Sequence, residues 1–294
     1  MRSTLLDGPV WRGSRSEVRI RTLKRIDDMV PIEELQTVIW GYDKPYPARL
    51  LLVVAETGGQ VQAAFSEERM IGFSFMIYGR DRHDGHPYLH SQLVGVLPEM
   101  RDQNVGFVLK LGQRRWAMEL GIDKVEWTFD PLQARNGYFN VRKLGAVIRR
   151  YRPDYYGVLD SLFTQGLPTD RWFAEWFVNS PRAEARLTGW GSFVTLDDVL
   201  QPSFACATRV ERSPDGLPRL VDFRLALEAE RIAFEVPTDF TAVMADSALA
   251  NDWRMKTRAI ALYYLGQRGY AVTDCASGLD RGLRRTFYVL EKGS

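Results

Sequence analysis

The feature that most constrains this chain is residues 94–110, V-G-V-L-P-E-M-R-D-Q-N-V-G-F-V-L-K. An apolar run with strand character ends at a proline, a short polar turn follows, and a helical period begins almost at once. Such a junction sets a helix N-terminus at the end of a strand, which calls for a layered fold of helices on a sheet. The first backbone N–H groups of a helix have no internal partner, and with the helix dipole they form a ready anion site. Position 104 needs a conformation that suits Gly, and Asn is the next most tolerant type. Gly106 lets a ligand come close to the backbone.

The flanking sequence extends this frame. Residues 18–23 (V-R-I-R-T-L) alternate as a half-buried strand. A helix is expected over 30–39, with Asp27 and Asp28 as N-caps and Pro31 in its first turn. Residues 50–55 fit helix or strand. Residues 61–65 and 71–78 read as a hairpin around S-E-E-R, and 88–96 as a further strand. A long helix follows over 104–120, then a strand at 125–129, a helix over 133–144 and a strand from 146. Residues 1–16 read as a tail or arm. Residues 152–204 show no clear period, and Trp172, Trp176 and Trp190 mark them as a packed connection.

The second half has its own order. Residues 206–211 and 220–225 flank the turn S-P-D-G-L-P, and 232–236 forms a strand. Asp246 and Ser247 cap a helix running to 267, and strands at 270–274 and 286–291 close the chain. The order strand, Pro, loop, helix, Gly, strand partly repeats the first half and suggests a weak internal duplication.

At 294 residues the chain has room for roughly two domains of about 150 residues. We expect domains at 1–165 and 166–294. Lys plus Arg number 39 against 37 Asp plus Glu, a net charge of +2, which argues against nucleic acid as a partner. No stretch approaches the ~20 apolar residues of a membrane span, and Arg2 is not followed by the apolar run of a secretory signal. Cys206 and Cys275 cannot build a disulfide framework and read as small buried hydrophobes. These readings point to the cytoplasm.

The stretch Arg101-x-x-Asn104-x-Gly106, preceded by Val96, Pro98 and Glu99, resembles the acyl-CoA-binding turn of the GNAT acyltransferase superfamily, R/Q-x-x-G-x-G/A. Asn104 departs from it at the first glycine. A strand followed by an Asn-containing helix ending in K-L-G, Asn136 to Gly145, matches a second motif of that superfamily. More narrowly, residues 127–147 are similar to a group of predicted GNAT proteins with an extended C-terminal half, some of which occur beside N-succinylamino acid racemases.

The resemblance implies an α/β (α+β) fold, a mixed sheet flanked by helices, with a smaller α+β half that reads as a degenerate GNAT-like repeat. It implies acetyl-CoA or another acyl-CoA as acyl donor, with no metal. Backbone groups of Val94, Gly95 and Val96 would pair with the pantetheine arm, because that strand splays from its neighbour at 125–129. Amides of Arg101, Asp102, Gln103, Asn104, Val105, Gly106 and Phe107 would hold the pyrophosphate, and Asn136 would sit near the pantetheine or thiol. An amine of a small molecule, an amino acid for example, would attack the thioester directly and take an acetyl or succinyl group. We expect neither nucleic acid nor membrane as a partner, and allow for a homodimer.

The proton-handling groups are open. Many GNAT members carry a Tyr four residues before the helix-ending Gly, where this chain has Val141. Tyr138, one turn earlier on the same helical face, is a substitute candidate for the acid, the alternative being that Tyr138 and Phe139 are core aromatics. His90 shares a strand face with Gln92 and suits a general base. His83, His86 and His90, with Asp81 and Asp84, superficially suggest a metal, but the stretch is a polar turn entering a strand. Nucleophile-elbow, phosphate-loop and H-E-x-x-H templates are absent from the sequence. Arg149 and Arg150 follow a strand and could meet a carboxylate. The alternative reading is an acyl-CoA-binding or sensor protein without chemistry, which the missing Tyr favours.

Overall fold

Alternating and continuous apolar runs in the first half of the chain assemble into one sheet with both faces covered. The computed structural model describes residues 7–12, 17–157 and 166–293. It forms two compact units, Met1–Trp127 and Thr128–Ser294. The expected domain boundary at 165/166 borders residues 158–165, which lie outside the described residues.

In the first unit the strands are β1 (Asp7–Arg12), β2 (Glu17–Thr22), β3 (Gln60–Ser66), β4 (Arg69–Arg80), β5 (Pro87–Val96) and β6 (Lys124–Phe129), side by side in that order. Neighbours are antiparallel through β5, and β6 joins β5 in parallel. Part of the expected tail, 7–12, is thus a strand; residues 1–6 and 13–16 lie outside the described residues.

Helices α1 (Ile26–Trp40) and α2 (Ala48–Glu56) cover one face, burying Met29, Ile32 and Leu51 against Val61, Phe73 and Phe75. Helix α3 (Val105–Glu119) covers the other, where Val105, Val108 and Leu109 meet Val18, Ile20 and Ile71. The ambiguous run at 50–55 is therefore helix. Helix α1 starts earlier than expected, with Arg25 at its N-cap. Asp27 and Asp28 lie in its first turn, where they favour the dipole without capping, and Pro31 falls inside it and removes one backbone hydrogen bond.

The second unit begins within β6. Helix α4 (Ala134–Gly137) continues as a π-helix over Tyr138–Lys143, closed by the Leu144 N–H donating to the Phe139 carbonyl at 3.0 Å. Strands β7 (Val147–Arg152) and β8 (Arg171–Phe177) pair antiparallel. The stretch 152–204 is therefore more than a connection: it also holds α5 (Pro181–Thr188) and α6 (Leu196–Val199). Trp172 and Trp176 are fully buried as expected, but Trp190 is 79% exposed.

Next come β9 (Ala205–Cys206), the hairpin of β10 (Thr208–Arg212) with β11 (Pro218–Phe223), and β12 (Arg231–Val236). Helices α7 (Phe240–Val243) and α8 (Ser247–Ala261, continued as a π-helix over Leu262–Gln267) precede β13 (Tyr270–Asp280) and β14 (Leu283–Lys292).

Distinct from the expected repeat of the first half, two other stretches share a strand order. In β6–α4–β7–β8 the last strand lies between the first two, and in β12–α8–β13–β14 it does so again. In both, the helix (short α4 in one, long α8 in the other) passes into a π-turn, followed by a left-handed glycine (Gly145, φ 80; Gly269, φ 67) and a strand.

Candidate functional site

The junction singled out by the sequence is built by packing on both sides of the sheet. The Leu97 N–H donates to the Ile71 carbonyl at 3.0 Å, and a 3₁₀ turn over Pro98–Met100 follows. Met100 packs against the apolar clusters of both faces and pins this turn. The chain then passes through two left-handed residues, Asp102 (φ 63) and Asn104 (φ 62), before α3 begins at Val105. The sequence expectation for position 104 is met.

The Asn104 side chain makes no cap, and the first helical hydrogen bond runs from the Val108 N–H to the Asn104 carbonyl at 3.0 Å. The amides of Val105, Gly106 and Phe107 precede it. A Cβ placed on Gly106 would meet only Val96 Cγ2, at 3.9 Å. Packing therefore does not demand glycine, although glycine costs a helix about 1 kcal/mol. The open space above Gly106 suits a ligand drawn close to these amides. Arg101 and Asp102 are exposed, and Gln103 Nε2 donates to the Glu99 carbonyl at 3.2 Å.

Upstream of the turn, β5 changes partners. It pairs with β6 through Leu89↔Val125 and His90↔Glu126, and among the described residues the pairing goes no further. Beyond His90 the two strands form a fork. On its other side β5 carries a bulge: Met76 of β4 faces Ser91 while Phe75 faces Leu93, so Gln92 is the extra residue. The bulge turns Gln92 toward the α1–α2 loop, where its Nε2 donates to the Tyr46 hydroxyl at 3.0 Å. Gln36 fixes Tyr46 from behind, accepting from its N–H at 2.8 Å and donating to its carbonyl at 3.0 Å. Past the bulge, Leu93 packs on the α1–α2 face, while Val94 and Val96 pack on the α3 face. Gly95 is buried.

Three residues at the fork were not legible as site residues. Glu126, buried, is the register partner of half-buried His90. Lys110, buried on α3, donates from Nζ to Ser91 Oγ at 3.0 Å and lies 3.5 Å from the centre of the Trp127 ring. The third is Tyr46. A buried Lys or Glu inside otherwise apolar elements is a signal the sequence does offer, but its partners come from distant segments.

Other expected residues belong to the second unit. Asn136 is exposed on α4, and Tyr138 is half-buried at the first position of the π-turn, while Val141 is fully buried. Cys275 is buried, which pushes its thiol up, chiefly by desolvation with the Asp274 charge adding; Cys206, against expectation, is only half-buried because β9 is a short strand at the end of the second unit's strand order.

Arg149 pairs with Glu175 at 2.7 Å and Arg150 with the same carboxylate at 3.5 Å. The His83 and His86 amides donate to Asp81 and Asp84 in local turns, at 2.8 and 2.9 Å. The His83 amide leads the effects that hold the Asp81 carboxyl below the usual range. Among the described residues, no group of three metal-capable side chains gathers, and no helix is long and apolar enough to cross a membrane.

No family model and no curated protein matches the chain. Solved structures do resemble it. Arabidopsis thaliana Naa50 in complex with a CoA-Ac-MVNAL bisubstrate analogue is 14% identical, with a TM-score of 0.44, covering 54% of this chain and 97% of its own. A GNAT family acetyltransferase from Elizabethkingia anophelis with acetyl-CoA bound is 14% identical, with a TM-score of 0.43 and the same coverage of 54% and 97%. An acetyltransferase of the GNAT family from Streptococcus pneumoniae gives 14% identity, a TM-score of 0.43 and coverage of 54% and 97%.

Proposed function

We propose that the chain is a GNAT-type N-acyltransferase that moves an acetyl or succinyl group from acyl-CoA to the amine of a small molecule, an amino acid being the leading candidate. The observation that carries this reading is the fork between β5 and β6, which leads from the His90↔Glu126 pair to the uncapped start of α3. From Val96 back to Ser91 the strand covers about 16 Å. That span suits a pantetheine arm laid along Val94–Val96, with its pyrophosphate on the amides of 101–107 and its thioester beside the bulge.

In this reading the acyl-CoA domain is residues 1–165, the remainder is 166–294, and the setting is cytoplasmic. His90 takes the amine proton, with Glu126 next to it to stabilise the charge it gains. Tyr138 supplies a proton to the departing thiolate, and Asn136 contacts the arm. Tyr46 and Gln92 face the acceptor. Buried Cys275 lacks thiolate character, and in this reading the amine attacks the thioester directly, with no cysteine-bound acyl intermediate on the way to product.

The test is release of free CoA from acetyl- or succinyl-CoA against a panel of D- and L-amino acids. Amine-dependent release supports an enzyme. Tight acyl-CoA binding without release in any pairing supports the sensor reading, which buried, apolar Val141 favours. His90→Ala and Tyr138→Phe should each lower kcat about a hundredfold with little change in KM. Replacing both cysteines by Ala should leave turnover intact; a folded, CoA-binding but inactive double variant would rule out direct transfer.

A further inference from the structure

Lys110 occupies a place that packing alone does not explain. It is 3% exposed, one of the buried positions of α3 that otherwise hold Val105, Val108, Leu109, Gln113 and Ala117. Its amine is held by Ser91 Oγ on β5 and by the Trp127 ring on β6. Those two residues directly follow His90 and Glu126, the last register pair between the strands. The amine therefore stands at the vertex of the fork, where an arm lying along Val94–Val96 would end.

Burial pulls the Lys110 ammonium well below the usual lysine range and favours the neutral, nucleophilic amine. The surrounding interior is polar enough to take an amide. Gln113, one helical turn along, is fully buried, and both its amide atoms lack a hydrogen-bond partner.

We propose that Lys110 is a self-acylation site, a reading that rests on the acyl-CoA assignment above. The Lys110 Nζ lone pair attacks the thioester carbonyl carbon, a C–N bond forms and the C–S bond breaks. The amine proton passes to the thiolate, leaving an Nε-acyl-lysine and free CoA. The product is a neutral amide in an interior that penalises the ammonium, so burial favours the modified form.

The experiment incubates the full-length chain with acetyl-CoA and no amine acceptor. Acetyl groups are mapped by peptide mass spectrometry, and acetyl-CoA binding is measured in parallel by calorimetry. Lys110 should approach one acetyl per chain, at least about a hundredfold faster than exposed Lys44, Lys143 and Lys292. Unfolding the chain in urea should erase the preference. Lys110→Arg, which keeps a cation for Ser91, should bind acetyl-CoA and gain no mass at this position; if that variant does not fold, the wild-type map decides. A chain that binds acetyl-CoA yet leaves Lys110 unmodified, or modifies it no faster than the exposed lysines, overturns the self-acylation site and leaves the acyl-CoA reading standing. A chain that does not bind acetyl-CoA overturns both.

Discussion

Two strand-to-helix junctions of this molecule use the same local physics for opposite ends. At the start of α3 the N-cap is a left-handed Asn104 whose side chain makes no cap, and the space above Gly106 is open. After β12 the two helix starts are closed by the chain's own carboxylates. Asp239 accepts from the Ala242 N–H at 3.2 Å, and Asp246 accepts from the Leu249 N–H at 3.0 Å. A helix N-terminus attracts negative charge in either case. The second unit supplies that charge covalently, whereas the first leaves it to be brought by a ligand. A shared order of strands and helices therefore does not carry a shared site.

The largest expected effect comes from filling the open junction. Gly106→Val should weaken CoA binding at least about a hundredfold, the value of two charge-assisted hydrogen bonds, while Tm stays within a few degrees of wild type. Calorimetry and thermal melts on the same preparation check this, and unchanged affinity would remove the pyrophosphate from 101–107. Stoichiometry is the next discriminator. The closed junctions predict one CoA per chain, and a value of two would erase the contrast between the halves.

A smaller effect is expected at the left-handed cap. Asn104→Gly should preserve CoA affinity and fold, since glycine takes this conformation freely, whereas Asn104→Val should lower affinity about tenfold by forcing the turn to rearrange. Equal affinities for the two variants would show that the conformation of residue 104 does not matter. The smallest is at the closed junction: Asp246→Ala should cost about 1 kcal/mol, read as a modest fall in Tm, with CoA binding unaffected. A change in CoA affinity in that variant would mean that this helix start contributes to the site after all.

Much of the first unit was legible because its signals are local. The hairpin of β3 and β4, the strand β5 and the cap of α3 each follow from a handful of neighbouring residues, and Asn104 adopts the conformation its type and place demand. Signals that need a partner were not. The strand at 7–12 takes its meaning from pairing with β2, and β8 was hidden because a strand buried among tryptophans shows no alternation. The π-turns after α4 and α8 each add one residue to a helical turn, which shifts every later side chain without marking the sequence.

The sequence by itself determined the junction, because a strand end, a left-handed turn and a helix start are set by backbone preferences within a few residues. Only the tertiary structure decided what stands behind that junction. Lys110 meets Ser91 and Trp127, Gln92 meets Tyr46, and His90 stands beside Glu126, each from a different element. The bulge at Gln92 and the end of pairing at His90 choose these neighbours. Both depend on register between strands, which is fixed by the packing of two sheet faces at once and not by any residue's own preference.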